Sequence, residues 1–109
     1  MPYSHSLAER IRQVFAQRRD VAEKKMFGGV CFRLHGNICV GVWHNSLIAR
    51  LGPDRAAAVL QQPHVGEFDV TGRPMKGWVM IEPEGIETDE QLREWIEESV
   101  RFVNTLPKK

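Results

Sequence analysis

Few residues of this sequence have the types and spacings that catalysis or metal binding requires. Ser46 lies near His44, but no GxSxG turn surrounds the serine, so the pair does not resemble a hydrolase nucleophile and its base. The histidines are scattered and lack metal-binding spacings such as HExxH. We therefore expect a protein that is not an enzyme and that needs neither a cofactor nor a metal ion. The histidines are His5, His35, His44 and His64.

The two cysteines, Cys31 and Cys39, lack the CxxC spacing of a redox or zinc motif. The strand pairing predicted below places them on opposite faces of one sheet, where they cannot form a disulfide. Buried, reduced cysteines behave as small apolar residues. We therefore expect no disulfide, and this expectation agrees with a cytoplasmic location.

Four cations are candidates for binding an anion or an acidic partner. Arg50 lies in an otherwise apolar segment, where it either binds a carboxylate or packs its stem on Trp43 at a sheet rim. Arg73 and Lys76 belong to a loop rich in glycine and proline, and Lys25 lies before the first apolar strand. A purely structural role is the simpler interpretation of each.

The net charge is only +1, but the charges are unevenly distributed. The first 25 residues are mainly basic, and residues 82–98 are mainly acidic with Arg93 as their one cation. This pattern fits either two solvated helix faces or a basic patch for an acidic partner. The basic residues are Arg10, Arg12, Arg18, Arg19, Lys24 and Lys25. Glu67 and Asp69 lie two residues apart at an expected sheet edge, where acids are usually solvated.

The apolar stretch 25–51 predicts three consecutive antiparallel strands over residues 30–35, 38–43 and 47–51. Gly36 and Asn37 tolerate positive φ and are predicted to form the first turn. This pairing puts Phe32 and Gly41 on one face and Val40 and Val42 on the other. That first face carries Val30, Phe32, Leu34, Cys39, Gly41 and Trp43, with Arg50 nearby. The second carries Cys31, Arg33, His35, Ile38, Val40 and Val42, and it also carries Leu47, Ala49 and Leu51 if the following loop has an even length.

Further elements flank these strands. Apolar periodicity predicts helices over residues 6–18 and 54–62 and a long closing helix that begins after Thr88. Ser6 with Glu9, and Thr88 with Gln91, have the spacing of capping boxes. Short strands are expected over residues 66–70 and 78–82, and 21–27 is a possible edge strand. The paired glycines 28–29 precede a strand and not a helix, which favours a close backbone approach over a phosphate loop.

These elements predict an α+β fold in one domain, residues 1–109. An antiparallel sheet of about five or six strands packs against an N-terminal, a short middle and a long C-terminal helix. No apolar run is long enough to cross a membrane, and the early charges argue against a secretory signal. Both sheet faces are apolar, so later elements or a second subunit must cover them.

Two sequence blocks carry a family resemblance: Met26-Phe27-Gly28-Gly29, and Gly72-Arg73-Pro74-Met75-Lys76-Gly77 before Trp78. Together with the strand around Arg50 and the closing helix, they resemble the N-terminal domain of TfoX/Sxy proteins. The resemblance covers nearly the whole chain. It implies a fold like that of secretion chaperones, and it implies a stand-alone branch without the second helical domain of the competence regulators.

We therefore expect a regulatory module that binds protein as a homodimer. The alternative is a weak nucleic-acid-associated protein that uses the basic N-terminal helix with Arg73 and Lys76. The small net charge and the lack of interleaved exposed aromatic residues favour the protein-binding class.

Overall fold

The computed structural model describes residues 3–26, 28–69 and 75–108, with only the backbone of Met26. Three α-helices are described, α1 (His5–Val14), α2 (Pro53–Val59) and α3 (Asp89–Val103). The strands are β1 (Val21–Met26), β2 (Gly29–Leu34), β3 (Asn37–Trp43), β4 (Ser46–Arg50), β5 (Val65–Glu67) and β6 (Trp78–Ile81). A short 3-10 turn, Pro83–Gly85, precedes α3. The predicted element order and the α+β class are confirmed.

All six strands form one antiparallel sheet in the order β1-β2-β3-β4-β6-β5. The buried side chains of all three helices join one cluster with alternate residues of the strands. Ile11, Val59 and Ile96 represent the three helices in this core, and Phe32 and Leu47 represent the sheet. The helices therefore cover the same face of the sheet, and the fold has two layers.

The predicted turn between β2 and β3 is wrong by one residue. Leu34 pairs with Asn37, so His35 and Gly36 form the turn, with φ values of 53° and 85°. Two consecutive positive φ values match the type I′ turns that favour tight hairpins. Asn37 is buried in β3, where its side-chain amide donates a hydrogen bond to the Pro107 carbonyl oxygen at 2.9 Å.

The predicted faces of β3 are also wrong from Val40 onwards, and a β-bulge is the reason. Arg33 pairs with Ile38 but Phe32 pairs with Val40, so Cys39 is an extra residue in β3. An extra residue shifts the alternation of every later position by one. Phe32 therefore shares a face with Val40 and not with Gly41. In the β3–β4 pair Val42 lies opposite Leu47, so these two residues share a face as predicted.

Of the two predicted N-terminal helix caps, one is wrong and one is correct. The predicted cap at Ser6 is wrong, because α1 starts at His5 and the Ser4 hydroxyl accepts a hydrogen bond from the Leu7 amide at 3.1 Å. The predicted box of Thr88 and Gln91 is confirmed, with two reciprocal hydrogen bonds of 3.0 Å. Helix α1 ends at Val14, four residues before the predicted end. The last predicted strand residue before the loop, Val70, lies outside the described residues.

The close approach predicted at the paired glycines is confirmed at Gly29. A Cβ atom at this position would collide with the Val42 carbonyl oxygen of the neighbouring chain segment. Glycine is therefore required for this packing distance. None of the helices in the described parts of the chain is long and apolar enough to span a membrane.

Candidate protein-binding face

The side of the sheet opposite the helices carries an apolar surface, which we call the helix-free face. One row of paired residues crosses all six strands on this side: Lys24, Cys31, Gly41, Ile48, Met80 and Gly66. Cys31, Ile48 and Phe68 are buried but do not belong to the helix-side core. The helix-free face therefore has its own apolar cluster, and no described helix covers it.

A cleft of about 70 Å³ opens in the middle of the helix-free face. At Gly41, β3 approaches β2 closely, because a Cβ atom there would lie 2.8 Å from the Val30 carbonyl oxygen and 3.4 Å from the Cys31 side chain. The lining is almost entirely apolar. The lining residues on this face are Cys31, Ile38, Gly41, Trp43, Ile48, Phe68, Met75 and Trp78.

Aromatic side chains form the wall of the cleft nearest β5. The Phe68 ring lies between two tryptophans, with centroid distances of 6.3 Å to Trp43 and 6.2 Å to Trp78. The Met75 amide donates a hydrogen bond of 3.0 Å to the Phe68 carbonyl oxygen, which ties the chain after β5 to the start of β6. Phe68 is buried, whereas both tryptophans stay partly exposed. Half-exposed tryptophans beside an apolar cleft are typical anchors of protein interfaces.

Three cations lie on the helix-free face around the cleft: Lys24, Arg33 and Arg50. Strand pairing places Lys24 beside Cys31, and Arg33 beside Ile38. The Arg33 Nε is buried and has no hydrogen-bond partner among the described residues. These charges make this side of the cleft suitable for a partner that carries carboxylates.

Arg50 packs on different aromatic rings from the one predicted. Its guanidinium carbon lies 5.4 Å from the Trp78 ring centroid and 5.9 Å from that of Phe102. Cation–π contacts of this kind contribute about 0.5–1 kcal/mol at partly exposed sites. No carboxylate of the described residues forms an ion pair with Arg50. Arg50 therefore lies at the rim of the sheet, but the tryptophan that it contacts is Trp78 and not Trp43.

Those candidate anion-binding cations that the structure describes, Arg50, Lys25 and Lys76, do not form one site. Arg50 lies on the helix-free face, whereas Lys25 pairs with Val30 and points to the helix side of the edge strand. Lys76 is exposed in the turn before β6, and Arg73 lies outside the described residues. Of the three described candidates, Arg50 alone lies beside the cleft.

The cysteines lie on the two sides of the sheet, as predicted. Cys39 belongs to the helix-side core, and burial raises its pKa to about 12. Burial also raises the pKa of Cys31, although Arg33 and Lys24 oppose the shift. Both thiols are therefore protonated and weakly nucleophilic near neutral pH. In the described part of the chain, no group of three His, Cys, Asp or Glu residues is arranged to bind a metal.

The basic N-terminal helix holds most of its cations in ion pairs. Arg12 donates two hydrogen bonds to Glu23, of 2.8 and 2.7 Å, and one of 3.1 Å to Glu9. Arg12 thereby lowers the pKa of the Glu23 carboxyl. Arg18 pairs with Asp20 at 3.0 Å, and Arg10 reaches Asp89 at 3.5 Å. These carboxylates neutralise charge that the sequence alone assigned to a basic patch.

The model of the TfoX N-terminal domain family matches residues 13–103, which is most of the chain. This chain belongs to the TfoX N-terminal domain family. No curated protein matches it. The match confirms the resemblance that the sequence blocks indicated.

The motif residues of this TfoX N-terminal domain that the structure describes have structural roles. Gly28 and Gly77 adopt positive φ values of 76° and 90°. The Gly77 carbonyl oxygen accepts hydrogen bonds from the Leu51 and Gly52 amides, at 2.9 and 3.1 Å, and so joins the end of β4 to the start of β6. Phe27, Gly72, Arg73 and Pro74 lie outside the described residues. Lys76 is exposed in the turn that Gly77 closes.

Sequence reasoning missed the residues that surround the cleft. It put Trp43 on the same sheet face as Phe32. It did not predict that Lys24, Arg33, Phe68 and Met75 lie near one another around a cleft. Along β6 the fully buried Val79 and Ile81 alternate with the partly exposed Trp78 and Met80.

Proposed function

We propose that this TfoX N-terminal domain is a non-enzymatic regulatory module that binds protein through its helix-free face. The supporting observation is the apolar cleft beside Trp43 and Trp78, on the side of the sheet that no described helix covers. Soluble chains seldom leave such a patch in water unless a partner covers it. A regulatory role also fits the resemblance to competence regulators.

The partner in this proposal is a second copy of the chain, which gives a homodimer. A two-fold arrangement lets one copy's cleft and tryptophans meet the same surface of the other, and both apolar faces become buried. Stacked sheets lie about 10 Å apart, a distance that interdigitating side chains such as Trp43 and Ile48 fill. We place the dimer in the cytoplasm, where the reduced Cys31 and Cys39 are typical.

Nucleic-acid binding is the weaker candidate. Arg10 and Arg12 of α1, and Arg18 after its end, already contact carboxylates, so few cations of this described N-terminal region remain to neutralise phosphates. Any binding of DNA or RNA is expected to be non-specific and to fall steeply as salt rises. A sequence-selective complex that persists at physiological salt would favour nucleic acid over protein as the partner.

Two copies of the chain with different affinity tags test the proposal when they are co-expressed. Capture of one copy is expected to recover the other, with or without nuclease treatment. Trp43→Glu should abolish the recovery, because it places a charge beside the cleft. Trp95→Glu is the matched control: Trp95 is also half-buried, but it packs on the helix-side core. Failure to recover the second copy, or recovery that nuclease removes, would contradict the proposal.

A further inference from the structure

We propose that the cleft on the helix-free face binds a small apolar carboxylate, and that Arg33 and Arg50 hold its carboxylate group. The inference goes beyond the proposed self-association, because every residue that it uses belongs to one chain. Three observations carry it: the two arginines lack a counter-charge among the described residues, they lie at the same end of the cleft, and the cleft has the size and lining for a short alkyl group.

Arg33 and Arg50 differ from the other described arginines. Both are half-buried, and neither forms an ion pair with a described carboxylate. The residues outside the described ranges include no Asp or Glu. Every other described arginine either forms an ion pair or is exposed to water. The paired ones are Arg10, Arg12, Arg18 and Arg55, and the unpaired, exposed ones are Arg19, Arg93 and Arg101. Because a half-buried cation without a counter-charge is unfavourable, a bound anion would stabilise this pair.

Both guanidinium groups have hydrogen-bond donors available for an anion. The Arg33 Nε is buried and finds no acceptor among the described residues. Native structures usually satisfy such a donor with water, an ion or a ligand, because a buried donor without an acceptor is destabilising. The Arg50 guanidinium lies over the Trp78 and Phe102 rings. Stacking covers the face of a guanidinium and leaves its in-plane N–H groups to bind a carboxylate.

The two arginines lie at the same end of the cleft. Strands β2 and β4 run in the same direction, because each pairs antiparallel with β3. Cys31, Gly41 and Ile48 form one row of paired residues in the cleft lining. Arg33 and Arg50 each follow that row by two residues on their own strand, so they flank β3 about two strand spacings, or roughly 10 Å, apart. A carboxylate that lies above β3 is therefore placed to accept hydrogen bonds from both side chains.

The cleft beside the arginines suits the apolar part of such a ligand. Its volume is about 70 Å³ and its lining is almost entirely apolar. A cavity of about 150 Å³ admits benzene, so a cleft of half that size takes a short alkyl group and not a long acyl chain. Ile38 lines the cleft and pairs with Arg33. Trp78 also lines it and pairs with Arg50. One small molecule can therefore occupy the cleft and reach both arginines.

Three aliphatic probes test the site on the native chain: isocaproate, its amide, and acetate. Each is titrated at neutral pH and constant ionic strength, with the protein at a submicromolar concentration that disfavours self-association. Tryptophan fluorescence reports binding, because Trp43 and Trp78 line the cleft. We expect isocaproate to bind saturably, with a Kd about tenfold or more below the Kd of the amide and of acetate. The amide lacks the charge, and acetate lacks the alkyl group.

Two substitutions test the arginines. Arg33→Gln and Arg50→Gln should each raise the Kd for isocaproate about fivefold or more and leave the Kd for the amide within about twofold. Arg93→Gln is the matched control, because it removes an exposed, unpaired arginine of α3, and it should change neither Kd. Denaturation curves check that each variant folds. If a variant does not fold, the comparison of isocaproate with its amide on the native chain still decides.

Several results would overturn the inference. Absence of saturable isocaproate binding would remove the site, and equal binding of the amide would show that no cation holds the carboxylate. Equal binding of acetate would show an anion site without a role for the cleft. Unchanged isocaproate binding in both folded arginine variants would also contradict it. Sedimentation of the native chain tests the homodimer separately, so failure of the ligand site and failure of the proposed function are distinguishable.

Discussion

The two faces of this sheet use the same strands for different purposes. On the helix-covered face Phe32, Leu34 and Leu47 are almost fully buried by the helices. On the helix-free face the neighbouring residues Ile38, Trp43 and Trp78 remain partly exposed around a cleft. The number of apolar residues does not distinguish the two faces, because both carry many. The position of the helices decides which face stabilises the fold and which one is available to a partner.

The first way to test this comparison is to delete one large side chain from each face. Phe32→Ala should lower the free energy of unfolding by about 3–5 kcal/mol, because it removes a fully packed ring and leaves a cavity. Ile38→Ala on the helix-free face should cost less than about 1.5 kcal/mol, because water already reaches the side chain. Urea denaturation at low protein concentration measures both. Equal losses would contradict the division between the faces.

The two cysteines, one on each face, allow the faces to be compared through the pH dependence of stability at alkaline pH. The Cys39 pKa is about 12 in the folded chain against an ordinary value of 9.0, so the unfolded chain releases this proton first. The free energy of unfolding should therefore fall as pH rises from about 9 towards 12, by on the order of 1–4 kcal/mol. Below pH 9 the Cys39 thiol should not make the free energy of unfolding depend on pH.

Cys39→Ala should flatten this part of the pH profile, and Cys31→Ala should flatten it less, because the helix-free face leaves Cys31 closer to water. Denaturation curves between pH 8 and 11 provide the measurement. An unchanged slope in Cys39→Ala would show that other groups control alkaline stability.

A pair of tryptophans separates binding from folding. Trp43→Ala should weaken self-association by about 2 kcal/mol, or roughly thirtyfold in Kd, with little change in monomer stability. Trp95→Ala should destabilise the monomer and leave the association constant of the folded chain within about threefold. Analytical ultracentrifugation with parallel denaturation measures both quantities. The opposite pattern would assign the interface to α3.

The smallest effect is expected at the ion pairs of α1. Arg12→Ala should cost less than about 1 kcal/mol, because Arg12 and Glu23 are each more than a third exposed and salt screens them. The loss should shrink further at high salt and as pH falls towards the pKa of the glutamates. Denaturation at two salt concentrations tests this, and a loss above 2 kcal/mol would show a structural role for the pair.

Much of the fold could be predicted from sequence, because periodicity and breakers are local signals. The Pro53 start of α2, the capping box at Thr88 and the burial of Val79 and Ile81 all follow from neighbouring residues. The bulge at Cys39 could not be predicted, because it depends on how β2 and β3 fit together over the core. That single extra residue moves Val40 and Val42 to the helix-covered face and Gly41 and Trp43 to the other.

The candidate site was less predictable for the same reason. The cleft needs Gly41, Phe68 and Trp78 from three separate parts of the chain, and their positions follow only from the strand order β4-β6-β5. Arg50 was correctly noticed as an unusual residue within an apolar strand, yet its ring partners Trp78 and Phe102 come from distant segments. Sequence spacing contains no signal for such contacts.

Sedimentation equilibrium of the native chain tests the central claim most directly. If the helix-free face binds a second copy, the apparent mass should approach twice the 12.5 kDa of one chain as concentration rises through the micromolar range. Trp43→Glu should return the mass to that of a single chain. A native mass near one chain at every concentration, with no upward trend, would contradict the account.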